Sequence, residues 1–203
     1  MFSTKTAVVN NEEFSGGKYM PVGINDNVTL KEVNVRTSPQ GHDFLEIIFQ
    51  NEQGQEAKFA EWKNTKSQWI TTDEELQKRD NAQFGRLCQL LDCYYPERPE
   101  AELSTFKEMI DWVKSKLEPM IALKKGLRIK VVYDKKGFQT VSKLGLYVEP
   151  MTVSADSSQI KLFKNDLLER PVQADVEVND PLNTPPSVTP DAASVNGVSD
   201  LPF

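Results

Sequence analysis

The chain contains little that could perform catalysis. A single histidine, His42, and two cysteines, Cys88 and Cys93, supply all the imidazole and thiol groups of its 203 residues. A zinc site needs about four such ligands at set spacings, and a Ser-His-Asp triad needs a partnered histidine. A glycine-rich loop that ends in Lys and Ser or Thr is also missing, which argues against a P-loop. We therefore predict no enzyme, no metal and no cofactor; a two-metal nuclease built on acids such as Glu74 and Glu75 is the alternative left open.

Long apolar runs are missing too. The sequence has no stretch of about 18 apolar residues, the length needed to cross a membrane as a helix. Its first six residues do not form the apolar core of a signal peptide. We therefore expect no membrane partner, reduced cysteines and a cytoplasmic location, which would be the host cytoplasm if the chain is viral.

Charge is present but unevenly placed. The net charge is −6, yet residues 107–164 carry twelve basic and six acidic side chains, and residues 166–203 carry seven acidic side chains and one Arg. A concentrated basic stretch is compatible with nucleic-acid binding even in an acidic protein. From residue 171 onward the chain is rich in Pro, Ser, Thr, Asn and Asp, with no aromatic residue before Phe203. That composition is typical of a disordered tail.

The order of the predicted elements indicates a fold class. Alternating apolar residues predict strands at 28–36, with a bulge at Lys31 and Glu32, and at 44–49, 56–62 and 127–133. A last strand is predicted over 138–148, interrupted at Gly145. Two helices, beginning near Thr72 and Thr105, lie between the third and fourth strands. Three strands, a helical section and two strands is the order of an OB-fold, a mostly β, five-stranded and partly open barrel.

The candidate binding residues are those that a sequence-independent single-strand binder needs, namely cations for phosphates and flat aromatic faces for bases. We expect Lys58 and Trp62 to face the ligand, with Phe59 in the core, and Arg128 and Lys130 to share an outward face. The full set of candidates is basic or aromatic: Arg36, Phe44, Lys58, Trp62, Lys63, Lys66, Trp69, Arg128, Lys130, Lys135, Lys136, Phe138 and Lys143. The alternative interpretations are solvated lysines in turns and tryptophans packed at the rim of the core.

The last four residues, Asp200, Leu201, Pro202 and Phe203, close the polar tail with an acid and an apolar tip. This tip resembles that of the bacterial-type single-stranded DNA-binding proteins. The architecture and tail together are similar to the OB-fold single-stranded DNA-binding proteins of tailed bacteriophages. The resemblance implies that the tip recruits replication, recombination or repair enzymes. The chain departs from the bacterial pattern in its longer helical insert and in its acids, which are spread along the tail.

These observations predict three parts: a polar arm over 1–17, an OB-fold single-stranded DNA-binding domain over 18–165 with a helical insert at 72–118, and an acidic, Pro-rich tail over 166–203. The predicted function is non-catalytic, sequence-independent binding of single-stranded DNA in replication, recombination and repair. Two alternatives stay open, a ring-forming strand-annealing protein and an OB-fold adaptor that binds only proteins. A homo-oligomer is left open as well.

Overall fold

The fold begins with an antiparallel meander. The computed structural model describes residues 18–171, and its first strands are β1 (Gly23–Thr37), β2 (Asp43–Gln50) and β3 (Glu56–Trp62). The turn between β2 and β3 is closed by two backbone hydrogen bonds of 3.0 Å, one from Gly54 N to Asn51 O and one from Asn51 N to Gln55 O. The predicted bulge is confirmed, because the register of β1 against β2 shifts between Leu30 and Glu32.

Two helices follow, as the sequence predicts. Helix α1 (Asp73–Asp92) starts with a capping box, in which Glu75 N donates to Thr72 Oγ1 at 3.1 Å and Thr72 N donates to Glu75 Oε2 at 3.2 Å. Helix α2 (Phe106–Leu117) starts at Thr105, whose hydroxyl accepts from Glu108 N at 3.2 Å, and a 3-10 helix (Glu118–Leu123) continues it. Both N-caps satisfy backbone donors that a helix cannot pair internally.

The last part of the sheet differs from the prediction. Strand β4 (Leu127–Tyr133) is as expected, but the single predicted strand over 138–148 is two short ones, β5 (Gln139–Val141) and β6 (Val148–Pro150). Both pair with β4. The chain between them turns away at Gly145, whose φ of 64° lies in the left-handed region. A Cβ there would come within 2.5 Å of the Phe163 ring, so glycine is required both by the backbone and by this contact.

The result is an open, six-stranded antiparallel sheet with two helices. Its order is β3-β2-β1-β4-β5, with β6 also paired to β4. Strand β1 connects the two halves of the sheet, because it pairs with β2 over residues 29–37 and with β4 over residues 23–28. The fold is therefore mostly β, as predicted.

The core lies between the inner face of this sheet and the two helices. Phe59 is fully buried, as predicted, and stacks on Tyr147 with ring centroids 4.9 Å apart. Leu87 and Leu91 of α1 and Ile110 of α2 are also fully buried in the same cluster. With the helices on the inner face, the opposite face of β2 and β3 is the one that lies outside this core.

The folded body extends past residue 165. Asp166, which the charge pattern assigns to the tail, is 7% exposed. The Leu167 carbonyl accepts a hydrogen bond of 2.8 Å from Tyr133 N at the end of β4. Residues 166 and 167 therefore belong to the body, and the tail predicted from composition begins later than the change in charge suggests.

Candidate nucleic-acid interface

The outer face of β2 and β3 carries a stacked aromatic pair. Strand pairing places Phe44 directly opposite Trp62. Their ring centroids are 4.1 Å apart and the rings are 14° from parallel. Trp62 is nonetheless 44% exposed. Phe44 thus covers one side of the Trp62 ring, and the rest of that ring keeps aromatic surface open to solvent, on which a nucleobase could stack.

Two cations and one acid surround this pair on the same face. Arg36 of β1 lies directly opposite Phe44. Lys58 lies four residues before Trp62 on β3, so the two side chains share one face of that strand. Both side chains are about half exposed, at 51% and 49%. Glu46 lies between them, with Oε2 2.8 Å from Arg36 Nε and Oε1 3.7 Å from Lys58 Nζ. We call the surface formed by Arg36, Phe44, Glu46, Lys58 and Trp62 the Trp62 face.

Side chains of residues that follow β4 form hydrogen bonds with the backbone of β3, the strand at one end of the sheet order. Thr140 Oγ1 donates to Lys58 O at 2.9 Å. Lys143 Nζ donates to the Ala60 carbonyl and lies 3.1 Å from Glu61 Oε2. Lys143 therefore lies at the edge of β3 on the side of Glu61 and the Phe59 ring, 5.4 Å from that ring, and not on the Trp62 face. Its ammonium already has two acceptors.

The segment after β3 extends the row of aromatic and basic residues. Lys63 and Lys66 are exposed, and Lys66 Nζ lies 2.7 Å from Asp73 Oδ1. Trp69, at the tip of a tight turn closed by Ser67 and Ile70, is 75% exposed. So large an exposed aromatic surface contributes nothing to the core and is available for stacking.

The turn between β4 and β5 holds the remaining candidates. Lys135 and Lys136 are exposed, and Phe138 is 63% exposed. The carboxylate of Asp134 fixes this turn, since its Oδ1 accepts from Lys136 N at 2.8 Å and from Phe138 N at 2.9 Å. The turn thus presents an apolar ring and two lysine side chains on a defined backbone.

Arg128 does not face outward, and that prediction is wrong. The residue is 4% exposed. Its Nε lies 2.6 Å from Asp26 Oδ1 and its Nη1 lies 2.6 Å from Glu149 Oε1. Burial of Glu149 opposes ionisation, but hydrogen bonds from Ser158, from Arg128 and from Gln159 N outweigh it and lower the pKa of this carboxyl. The guanidinium is a structural cation.

Lys130 is likewise buried rather than outward. Its ammonium is fully buried and donates to Leu144 O and Lys161 O, both at 2.9 Å, and to Asp166 Oδ2 at 2.8 Å. The Phe163 ring lies 4.5 Å from the nitrogen. The reason is that residues 142–166 cover the second face of β4, so this strand is buried on both sides. Alternation in the sequence distinguishes the two faces but not whether a later segment covers one of them.

Glu46 was missed by reasoning from the sequence. Its signal was available, because it lies two residues after Phe44 and therefore shares the outer face of β2. Because phosphates are negatively charged, a carboxylate is not expected on a face that binds them. Its carboxylate is 12% exposed, which strengthens its attraction to Arg36 and Lys58 relative to a fully solvated acid.

The predicted docking tip, Asp200 to Phe203, lies outside the described residues.

Across residues 18–171, no group of three or more His, Cys, Asp or Glu side chains could hold a metal ion. No helix in that same range has the length and the apolar content needed to cross a membrane. Cys88 and Cys93 are both unpaired and buried, and burial raises the pKa of the Cys93 thiol to about 12.

Comparison with known proteins adds no assignment. No family model matches the sequence, and no curated protein is significantly similar to it.

Proposed function

We propose that the chain is a non-catalytic, sequence-independent single-stranded DNA-binding protein that acts in DNA replication, recombination and repair, with the Trp62 face as its contact surface. The observation that carries the proposal is the Phe44–Trp62 stack, in which Trp62 is 44% exposed, on the same face as the half-exposed cations Arg36 and Lys58. Such a surface offers stacking to any base and attraction to any phosphate, and neither interaction depends on the base sequence.

We also propose that the sheet is an OB-fold barrel. Three features support this. The element order is that of the fold, β1 pairs with both β2 and β4, and Thr140 joins the strand after β4 to β3. OB-folds bind oligonucleotides on the face of strands two and three and on the loops between strands one and two and between strands four and five. These places correspond to the Trp62 face, to the β1–β2 turn and to the turn that carries Lys135 and Phe138.

Substitution of Trp62 tests the proposal. Trp62→Ala removes the exposed ring but leaves the inner face of β3 intact. Loss of one stacked base should weaken binding of labelled oligo-dT by roughly 1–3 kcal/mol, or about 5- to 150-fold. Fluorescence anisotropy at fixed salt measures this directly. Leu123→Ala is the matched control, because Leu123 is an apolar side chain that is 62% exposed on the 3-10 helix, outside the Trp62 face.

The proposal requires wild type and Leu123→Ala to bind alike. Equal binding by Trp62→Ala would remove the Trp62 face from the interface. If wild-type protein does not bind oligo-dT even at low salt, DNA binding itself is refuted. The alternative of an OB-fold adaptor that binds only proteins is then favoured. Ring-shaped oligomers of high mass on DNA would instead favour the strand-annealing protein.

A further inference from the structure

A second surface is a cleft between α1 and the chain that leads into α2. It has two lobes of about 920 Å³ and about 520 Å³. The smaller lobe also includes Lys63, the residue that follows Trp62. Asn81 and Phe84 of α1 and Ala101 of the connecting segment line both lobes, so the cleft is continuous. We call it the helical cleft. Its size is in the range of pockets that accept several side chains of a ligand.

The floor of the helical cleft is apolar. Phe84 is half-buried and meets Trp112 of α2 edge to face, with ring centroids 5.9 Å apart. Leu103, Phe106 and Met109 add apolar surface in the smaller lobe. Because these side chains already pack against the core, the floor is formed before any partner arrives.

The wall opposite α1 is held in place. Arg98 donates to Asp92 through Nε at 2.8 Å and through Nη2 at 2.6 Å, a two-pronged ion pair that joins the segment to the end of α1. Pro96 and Pro99 restrict the backbone on either side of Arg98. A preformed wall reduces the ordering cost of binding.

The rim of the larger lobe is acidic. Glu100 and Glu102 line it, and within the described chain neither carboxylate forms an ion pair with a basic side chain. Arg98, the basic residue in this lobe, is already paired with Asp92. Phosphates would be repelled from this rim, whereas Lys or Arg side chains of a partner would be attracted.

Gly85 leaves one position on the α1 side of the larger lobe without a side chain. It lies inside α1, where glycine is less favourable than alanine by about 1 kcal/mol. A Cβ at this position would have no atom within 4 Å, so packing within the chain does not require glycine. Gly85 lines the larger lobe, and a bare backbone there permits a partner to come close to the helix.

We propose that the helical cleft docks a protein partner through a short segment that combines Lys or Arg with large apolar side chains. Apolar groups of the segment occupy the floor beside Phe84, and its cations pair with Glu100 and Glu102. Residues 172–203 of the chain itself have the wrong charge for this role, since they carry five acidic residues and no Lys or Arg. The inference rests on Phe84, Glu100 and Glu102, none of which belongs to the Trp62 face, and it does not depend on DNA binding. Lys63, a candidate DNA contact, borders the smaller lobe.

The test uses a phage-displayed library of random dodecapeptides, selected on the immobilised full chain, with the enriched sequences then synthesised and labelled. Enriched peptides should combine basic with aromatic or aliphatic residues. Their Kd should rise by at least about tenfold with Gly85→Arg, which fills the lobe and adds a like charge. Ala82→Arg is the matched control, because it adds the same side chain at an exposed position of α1 that does not line the cleft.

A second variant keeps the proposal testable if Gly85→Arg fails to fold. Glu100→Lys with Glu102→Lys reverses the rim charge without altering α1, and it should weaken the same peptides. The proposal is overturned if no peptide is enriched, if the enriched peptides are acidic, or if both variants bind them normally. It is also overturned if oligo-dT displaces the peptides, or if Gly85→Arg halves the mass in solution, since DNA or a second copy would then occupy the cleft. Oligo-dT affinity of each variant, measured in parallel, separates this result from the fate of the Trp62 face.

Discussion

At the scale of single residues, Glu46 decides how much positive charge the Trp62 face offers. Its carboxylate lies 2.8 Å from Arg36 Nε and 3.7 Å from Lys58 Nζ. A phosphate that reaches either cation must therefore compete with an acid that is already there. The arrangement limits affinity and holds the two cations in place before DNA binds.

Removing this acid should strengthen DNA binding. Glu46→Gln keeps the shape and deletes one negative charge next to the two cations. For charges several ångströms apart at a water-rich surface, Coulomb's law makes this change worth roughly 0.5–1 kcal/mol, or about two- to fivefold. The slope of log affinity against log salt should steepen by about 0.7 if one more phosphate is neutralised. Titrations of oligo-dT at several salt concentrations measure both quantities.

Asp111→Asn on α2 is the control for a general change in net charge, because Asp111 is an exposed acid paired only with Lys107 at 2.7 Å on the same helix. Weaker binding by Glu46→Gln, with an unchanged salt slope, would mean that Glu46 mainly positions Arg36.

Lys130 shows where a residue's role could not be predicted from its neighbours in the sequence. Alternation correctly predicts that Trp62 and Lys58 lie on the exposed face of β3 and Phe59 on its buried face, because alternation within one strand is a local property. The same reasoning fails for Lys130, whose partner Asp166 lies 36 positions away. Its burial depends on a covering segment that has no periodic signal of its own.

The buried role of Lys130 can be measured. Lys130→Met leaves the Asp166 carboxylate in the interior without its cation, which should lower the free energy of unfolding by about 3–5 kcal/mol. Urea denaturation measures this loss. Lys107→Met breaks the exposed pair with Asp111 and should change stability by less than about 0.5 kcal/mol. A stable Lys130→Met protein with weakened DNA binding would return Lys130 to the interface.

At the scale of elements, helices and strands with a regular sequence pattern could be predicted, and elements without one could not. Helices α1 and α2 and strands β2 to β4 have capping residues or clear periods, and the sequence predicts them near their observed bounds. Strand β1 begins at Gly23, five residues before its predicted start, and the missed residues are among those that pair with β4. Strands β5 and β6 are three residues each, too short to carry a period. The loop between them is defined by the contact of Gly145 with Phe163 and by the acceptors it provides for Lys130, which are tertiary features.

The segment that covers β4 should be sensitive to acid. Burial of Asp166 favours its neutral form, but hydrogen bonds from Lys130, from Phe163 N and from Ser142 outweigh burial and hold its pKa below the ordinary value. Since the folded pKa is the lower one, this carboxylate contributes stability above the ordinary Asp pKa of about 4, and the contribution is lost as pH falls through that value toward the folded pKa.

The thermal midpoint should therefore fall between about pH 5 and pH 3, and it should fall less steeply in Asp166→Asn, which is less stable at neutral pH. Calorimetry across this range measures both curves. Parallel curves for the two proteins would show that other carboxylates cause the acid sensitivity.

At the scale of the whole molecule, the two proposed surfaces differ in charge although the body as a whole is neutral. The described body, residues 18–171, is neutral, with 23 basic and 23 acidic side chains. Among its exposed residues, Lys58, Trp62, Lys63, Lys66 and Trp69 lie on β3 and in the segment after it, and Lys135, Lys136 and Phe138 lie in the turn before β5, whereas Glu100 and Glu102 line the larger lobe of the helical cleft. This separation fits a protein that holds DNA on one surface and a protein partner on another. Recruitment through Asp200 to Phe203 stays a prediction from the sequence.

The most direct test of this account is a competition titration by fluorescence anisotropy. Labelled oligo-dT is bound by the full chain at low and at moderate salt, and unlabelled duplex of the same length is added as competitor. We expect tight binding that weakens as salt rises, and a duplex that competes poorly because its bases are not available for stacking. Binding that is absent at low salt, or duplex that competes as well as single strand, would contradict the central claim.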